Sequence, residues 1–219
     1  MKANLGYRIV KNWVKLMLLA VFLLPLAGWA QMKAMSTQEV QAFQQALKQL
    51  ATVKTLSADF VQYKHLSFMK KPVESSGKLF IVQPDRLSWS YTAPFNYKMV
   101  FKDNKIFIND EGKKRSMDLG NSKQFEKISK LVTNSMQGGR YDEKEFAVAY
   151  FKDGGNDVVR LTPKLSEAKK YIQEIVLRFS STNHQVQEVK LVEPSKDYTR
   201  FVLKNTQINK QIHDSVFDY

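Results

Sequence analysis

The sequence predicts a mainly β protein with helices: an α+β fold built on one strongly curved antiparallel sheet, or incomplete β-barrel, covered on its concave side by amphipathic helices. Three observations predict it. Residues 77–101 hold three short alternating segments broken at Pro84-Asp85 and Ala93-Pro94, which is the signature of an antiparallel meander. About ten period-two segments of this kind, separated by turn residues, recur along the chain. Only two stretches repeat with helical spacing, and each is apolar on a single face. A sheet of that size has more inward surface than its own side chains fill, and two helices cap such a concavity without filling it.

Before the fold begins, the first thirty residues read as a cleavable signal peptide. Lys2, Arg8, Lys11 and Lys15 open the chain with no acidic residue before Gln31, and Leu16 to Ala27 is an almost unbroken apolar run. Gly28-Trp29-Ala30 supplies small residues where a signal peptidase reads. The apolar core is shorter than the roughly 20 residues a membrane span needs. Residues 1–30 are therefore expected to leave, and residues 31–219 to form one exported domain that starts at Gln31.

The first helix is announced by Ser36-Thr37-Gln38-Glu39, which has capping-box spacing, and Val40, Phe43, Leu47 and Leu50 then share one face. Its opposite face is rich in Gln and Lys, so the apolar stripe must lie on a sheet. Leu56, Ala58 and Phe60 alternate with Ser57 and Asp59 in the first strand. Lys70-Lys71-Pro72 marks a turn, and Ser75 to Val82 forms the next strand. In the following segment Leu87, Trp89 and Tyr91 point one way, and Arg86, Ser88 and Ser90 the other. Hairpin signals at Asp103-Asn104 and Asp110-Glu111-Gly112 flank a short strand from Lys105 to Asn109. From Ser122 to Met136 the period changes, and Phe125, Ile128, Leu131, Val132 and Met136 make a helical stripe bounded by Gly120 and Gly138-Gly139. Strand spacing resumes at Glu145 to Lys152, Asp157 to Thr162, Tyr171 to Ser180, Val186 to Glu193 and Tyr198 to Lys204, with Ser181 to His184 as a hairpin loop.

Composition narrows the chemistry. The formal charge is +13, and +9 remains once the four basic residues of the signal are removed. Such a balance in an exported chain suits anionic headgroups or an acidic partner surface. Nucleic acid is not predicted, because the basic residues are spread over strands and turns with no recognition-helix cluster. There is no cysteine, so disulfides, thiolate metal sites and a cysteine nucleophile are excluded. His65, His184 and His213 are far apart and lack metal-ligand spacing, and the chain carries neither a nucleophile elbow nor a phosphate-cradling glycine loop. No catalytic residue, metal or cofactor is expected. Asp142, Glu143 and Glu145 read as a solvated turn. On the residues alone, Trp89, Tyr91, Phe101, Phe107 and Phe125 fit an ordinary core at least as well as a ligand cavity.

An ordered series of segments resembles one family. Leu56-Ser-Ala-Asp-Phe-Val-Gln62, then Ser76-Gly-Lys-Leu79 with Pro84-Asp-Arg-Leu-Ser-Trp-Ser-Tyr91, then Asp103-Asn-Lys-Ile-Phe-Ile108 and Leu161-Thr-Pro-Lys164 resemble successive blocks of the periplasmic lipoprotein carrier family, LolA. The resemblance runs over most of residues 55–204. It implies a periplasmic, monomeric carrier that holds the acyl chains of outer-membrane lipoproteins in an apolar cavity. An inner-membrane lipoprotein-releasing ABC transporter would be the donor, and an outer-membrane receptor is left open as the acceptor. It further implies a cavity lined by Phe60, Leu79, Ile81, Leu87, Trp89, Tyr91, Met99 and Phe101, with Trp89 at the position of the family's cavity-facing tryptophan. The stripe Phe125, Ile128, Leu131 and Val132 would face it from a lid. One departure stands out: Gln83 occupies the place of an arginine that helps latch the lid in the best-known members, so a charge-assisted latch is not expected here. The competing readings are a carrier of another lipid or pigment precursor, a secreted hydrolase of a lipid-like substrate, and a periplasmic sensor that binds lipoproteins without transferring them.

Overall fold

The computed structural model describes residues 32–50, 52–118 and 141–219. Among them, after the short strand β1 (Lys33–Ala34), the helix α1 (Thr37–Leu50) leads into β2 (Thr55–His65), β3 (Val73–Val82), β4 (Arg86–Ala93), β5 (Tyr97–Lys102), β6 (Lys105–Asp110) and β7 (Lys113–Asp118). The second half contributes β8 (Phe146–Asp153), β9 (Asn156–Pro163), the helical turn α2 (Ser166–Lys169), β10 (Glu174–Ser180), β11 (Val186–Val192) and β12 (Tyr198–Ile208). A 3₁₀ turn at Asp214–Phe217 follows. The twelve strands form one curved, unclosed antiparallel sheet in the order β1-β8-β9-β10-β11-β12-β2-β3-β4-β5-β6-β7. Neighbouring strands are consecutive in sequence except at two places, where β1 pairs with β8 and where β12 pairs with β2, the junction that joins β2–β7 to β8–β12.

Local chemistry accounts for the elements. The Ser36 backbone N–H donates to the Glu39 carboxylate at 2.7 Å, and the Glu39 N–H donates back to Ser36 Oγ at 3.3 Å, completing the predicted capping box. These bonds from Ser36, backbone first, hold the Glu39 carboxyl below its usual range. Ser36→Ala is expected to lower the thermal midpoint by about 2–4 °C, in line with the loss of one N-cap; a melt followed at 222 nm reads it. At the tight turns, Asp103 and Asn104 both take positive φ, at 53° and 58°, as a two-residue hairpin requires. Glu111 and Gly112 do the same at 48° and 92° before β7.

Three features differ from the sequence reading. β7, Lys-Lys-Arg-Ser-Met-Asp, is exposed at every residue, so it carries no alternation to detect; it closes the described sheet as a charged edge strand. β1 is only two residues long and is defined by its pairing with Phe151 and Lys152. The strand expected from Tyr171 starts instead at Glu174, because the amides of Tyr171 and Ile172 bond to the Ala168 carbonyl and prolong the turn of α2.

One face of the sheet carries two apolar clusters. In the first, Phe43 and Leu47 of α1 pack on Val159, Leu161, Ile175, Leu177, Phe179 and Val186. The second gathers Leu56, Ala58, Phe60, Leu79, Ile81, Leu87, Phe101, Ile106 and Ile108 from β2–β6. Leu203 on β12 packs against both, so the two clusters are continuous across the β12–β2 junction. On the opposite face the 3₁₀ turn lies against β4 and β5: Arg86 pairs with Asp214 at 2.8 Å and sits over the Phe217 ring.

Candidate functional site

The register brings residues far apart in sequence onto the β2–β6 face. Leu79 lies opposite Trp89, Trp89 opposite Met99, and Leu87 opposite Phe101, while Phe60 lies opposite both Gly77 and Leu203. All eight residues named as cavity candidates fall in this one cluster. Their environments divide. Phe60, Leu79, Ile81, Leu87 and Phe101 are buried, whereas Trp89, Tyr91 and Met99 are half-buried and pack on them from the side. The lid candidates Phe125, Ile128, Leu131 and Val132 lie outside the described residues, as does the signal segment.

Aromatic rings dominate the half-buried part. Phe60 is 4.7 Å from Trp89 and 5.2 Å, edge-on, from Tyr91, and Phe201 stands perpendicular to Trp89 at 5.2 Å. Such edge-to-face contacts add to the burial of area because the positive ring edge meets a negative face. Gly77 makes the geometry possible. It lies between Phe60 and Tyr91 at a register shift in β3, and a Cβ there would overlap the Ser90 carbonyl oxygen and come within 2.7 Å of the Phe60 ring.

Two polar groups sit within this apolar surface. The Tyr91 hydroxyl donates to Gln62 Oε1 at 2.6 Å, and burial of the ring pushes the phenol above its usual range. The Trp89 indole N–H is buried without a hydrogen bond of good geometry to a described residue, and the Tyr91 hydroxyl beside it is close enough for the contact to offset part of the upward push on the phenol. A buried donor left open in this way is uncommon in folded proteins, because its desolvation is uncompensated. It is available to a better-placed acceptor from outside the described residues.

Sequence reasoning did not name Phe201, Leu203, Tyr97 or Gln62 as part of this surface. Phe201 and Leu203 are visible as alternate positions of a strand, but only the β12–β2 pairing shows that they meet Phe60 and Trp89. Gln83 lies in the β3–β4 turn, where its backbone N–H donates to the Lys54 carbonyl at 2.8 Å. Arg86 is engaged on the other face and is turned away from this cluster.

The three histidines and Asp142 have structural partners. His65 stacks on Tyr198, His213 accepts from Ser215 N at the start of the 3₁₀ turn, and His184 lies 3.5 Å from Asp157, which also bonds Lys152. Asp142 caps its own turn by accepting from the Lys144 amide. Among the described residues, no group of three or more His, Asp or Glu is placed to hold a metal ion. A small crevice of about 20 Å³ lies under the end of α1, between Leu50, Val53, Leu56, Val186 and Ile208. An open cleft of about 560 Å³, with Tyr91, Tyr97, Lys98, Asn109 and Glu111 on its walls, lies beside the ends of β4–β6. Burial pushes the Lys98 ammonium below its usual range, and Asp218 partly offsets this.

Comparison with known proteins adds a family. A family model described as outer membrane lipoprotein carrier protein LolA matches residues 51–219. Among solved structures, MucB is 10% identical with a TM-score of 0.50, the match covering 84% of this chain and 64% of MucB. A DUF1329 family protein from Desulfovibrio piger is 13% identical with a TM-score of 0.45, covering 82% of this chain and 97% of that one. A LolA superfamily protein from Nitrosomonas europaea is 8% identical with a TM-score of 0.42, with coverage of 82% and 97%. This chain thus spans just under two thirds of MucB. No curated protein matches the sequence.

Proposed function

This chain belongs to the LolA family, and from that premise we propose that it is a periplasmic carrier that takes outer-membrane lipoproteins from an inner-membrane ABC transporter. It shelters their acyl chains against the β2–β6 face on the way to the outer membrane. The observation that carries the reading is the convergence of Phe60, Leu79, Ile81, Leu87, Trp89, Tyr91, Met99 and Phe101 on one face, where aromatic and thioether groups remain half-buried rather than sealed.

The physical task explains why such a surface suits the role. Each methylene moved out of water contributes about 0.8 kcal/mol, so one long acyl chain left in water costs on the order of 10 kcal/mol. Release from a bilayer therefore needs an alternative apolar home. That home must bind more weakly than the acceptor membrane, and a surface of rings and a flexible methionine grips without close shape matching. The indole N–H of Trp89, which makes no well-aligned hydrogen bond to a described residue, suits an ester or amide carbonyl at the head of an acyl chain better than the neighbouring Tyr91 hydroxyl. No chemistry is performed on the cargo in this reading; the family is one of carriers.

Mass spectrometry of material copurifying with the protein from its native periplasm tests the reading. Intact triacylated or diacylated lipoprotein is the expected species. Free phospholipid or an isoprenoid would replace it with a carrier of another lipid, and cleaved lipid products would point to a hydrolase. Export is tested separately by N-terminal sequencing of fractionated protein, with Gln31 as the expected first residue of a soluble chain. An intact N-terminus in the membrane pellet would mean an anchored protein.

A further inference from the structure

Seven large apolar side chains are prominently exposed among the described residues, and six of them lie at one end of the sheet: Phe68, Met69, Val73, Phe95, Leu165 and Tyr171. The register defines that end. Lys64 opposite Val73 closes β2–β3 there, Tyr91 opposite Tyr97 closes β4–β5, and Leu161 opposite Ile175 brings in the connection that holds α2. Met117, the seventh, lies opposite Ile106 near the other end. Scattered exposed apolar residues are ordinary, but their concentration on one rim is not.

The tip of this rim is the β2–β3 loop, residues 66–72. Phe68 is 82% exposed at its apex, followed by Met69 and then by Lys70 and Lys71. The loop is pinned in this conformation. The Ser67 amide donates to Asp197 Oδ1 at 2.7 Å, a bond that holds that carboxyl below its usual range, and the Met69 amide donates to the Leu66 carbonyl at 2.8 Å. Phe68 is thus held out in water by a formed turn. Lys70 and Lys71 make no ion pair with a described residue, whereas Lys64 is shared with Glu193 at 4.0 Å and Lys196 bonds Gln173.

We propose that this rim is a membrane-contact surface, with Phe68 and Met69 entering the interface of an anionic phospholipid bilayer and Lys70 and Lys71 meeting its headgroups. A protruding apolar apex directly followed by two lysines that pair with no described residue matches a surface that is apolar in depth and negative at its face. A pocketed protein partner would instead call for a concave or flat apolar patch. The rim also connects to the inner face. Phe95 on the rim is 5.4 Å from Tyr91, Tyr91 is 5.2 Å from Phe60, and Phe60 is 4.7 Å from Trp89. If the carrier reading holds, this row of rings is the route by which an acyl chain passes between bilayer and carrier. The contact surface itself does not depend on that reading.

Vesicle flotation tests the proposal with purified protein and two kinds of vesicle: phosphatidylethanolamine with phosphatidylglycerol, and phosphatidylcholine alone. The wild type should float with the anionic vesicles at low salt and remain at the bottom with phosphatidylcholine. Phe68→Ser with Met69→Ser should reduce the bound fraction at least fivefold. Lys70→Gln with Lys71→Gln should weaken binding by about fivefold per lysine and remove its salt dependence. Phe68→Ser alone, at so exposed a position, guards against a folding defect in the double variant. A wild type that fails to float, or a Phe68→Ser protein that floats unchanged, overturns the proposal. Concentration-dependent dimerisation that Phe68→Ser abolishes would also overturn it and assign the rim to self-association. Binding of a fluorescent fatty acid, measured without vesicles, should be unchanged in the rim variants. Flotation without fatty-acid binding would retain the surface and remove the carrier.

Discussion

Gly77→Ala should lower the thermal midpoint by about 6–12 °C, a loss of about 3 kcal/mol. The alanine Cβ has two obstacles, the Ser90 carbonyl oxygen and the Phe60 ring. The first is backbone in the neighbouring strand, so relief requires β3 and β4 to move apart at the register shift between Ser76 and Gly77. The second is a ring with 1% exposure, packed between Trp89 and Tyr91. Gly112→Ala is the informative control. At φ 92° it meets no atom within 4 Å, so it suffers backbone strain alone and should cost about 1 kcal/mol. A Gly77→Ala midpoint within 2 °C of wild type would mean that the sheet yields at this position, and that the glycine is not what keeps the rings together.

Trp89→Ala should weaken binding of a fluorescent acyl probe at least tenfold, equivalent to about 1.4 kcal/mol, while leaving most of the protein folded. The indole touches Phe60 and Phe201 yet remains only half-buried, so its removal opens the surface without emptying the centre of the cluster. Trp89→Phe separates the two roles of the side chain. It keeps most of the ring area and loses the N–H, so a fall in affinity for ester-bearing ligands with little change for plain alkanes would assign the donor to the cargo head. The optical test is clean if the signal is removed, because Trp13 and Trp29 leave with it and Trp89 is the remaining tryptophan. Loss of fold in Trp89→Ala with unchanged probe binding in the residue that stays folded would make Trp89 a core residue and move the acyl site elsewhere.

Much of the architecture was legible because each element carries its own periodicity. The capping box of α1, the Leu87-Trp89-Tyr91 alternation and the Asp103-Asn104 turn are local, and each formed where the residues predicted. The strands that escaped notice lack a local signal. In β7 every residue is exposed, so neither face demands an apolar stripe; β1 is too short to show a period. Tyr171 to Gln173 alternates like a strand, but the α2 turn takes their backbone bonds first.

The candidate surface divides in the same way. Within β2, β3, β4 and β5, which follow one another in the sheet, the sequence was sufficient to choose eight residues that share a face, since antiparallel neighbours joined by short turns fix each other's register. Adding Phe201 and Leu203 required the pairing of β12 with β2, a contact between strands more than a hundred residues apart that no local pattern encodes. The same holds for Arg86, whose partner Asp214 comes from the far end of the chain, and for the gathering of Phe68, Phe95 and Tyr171 on one rim. Alternation and turn chemistry are properties of a few adjacent residues, and the sequence by itself determined them. Which strands become neighbours, which rings meet and which donor lacks a well-aligned acceptor depend on how the whole sheet pairs and curves, and only the tertiary structure decided them.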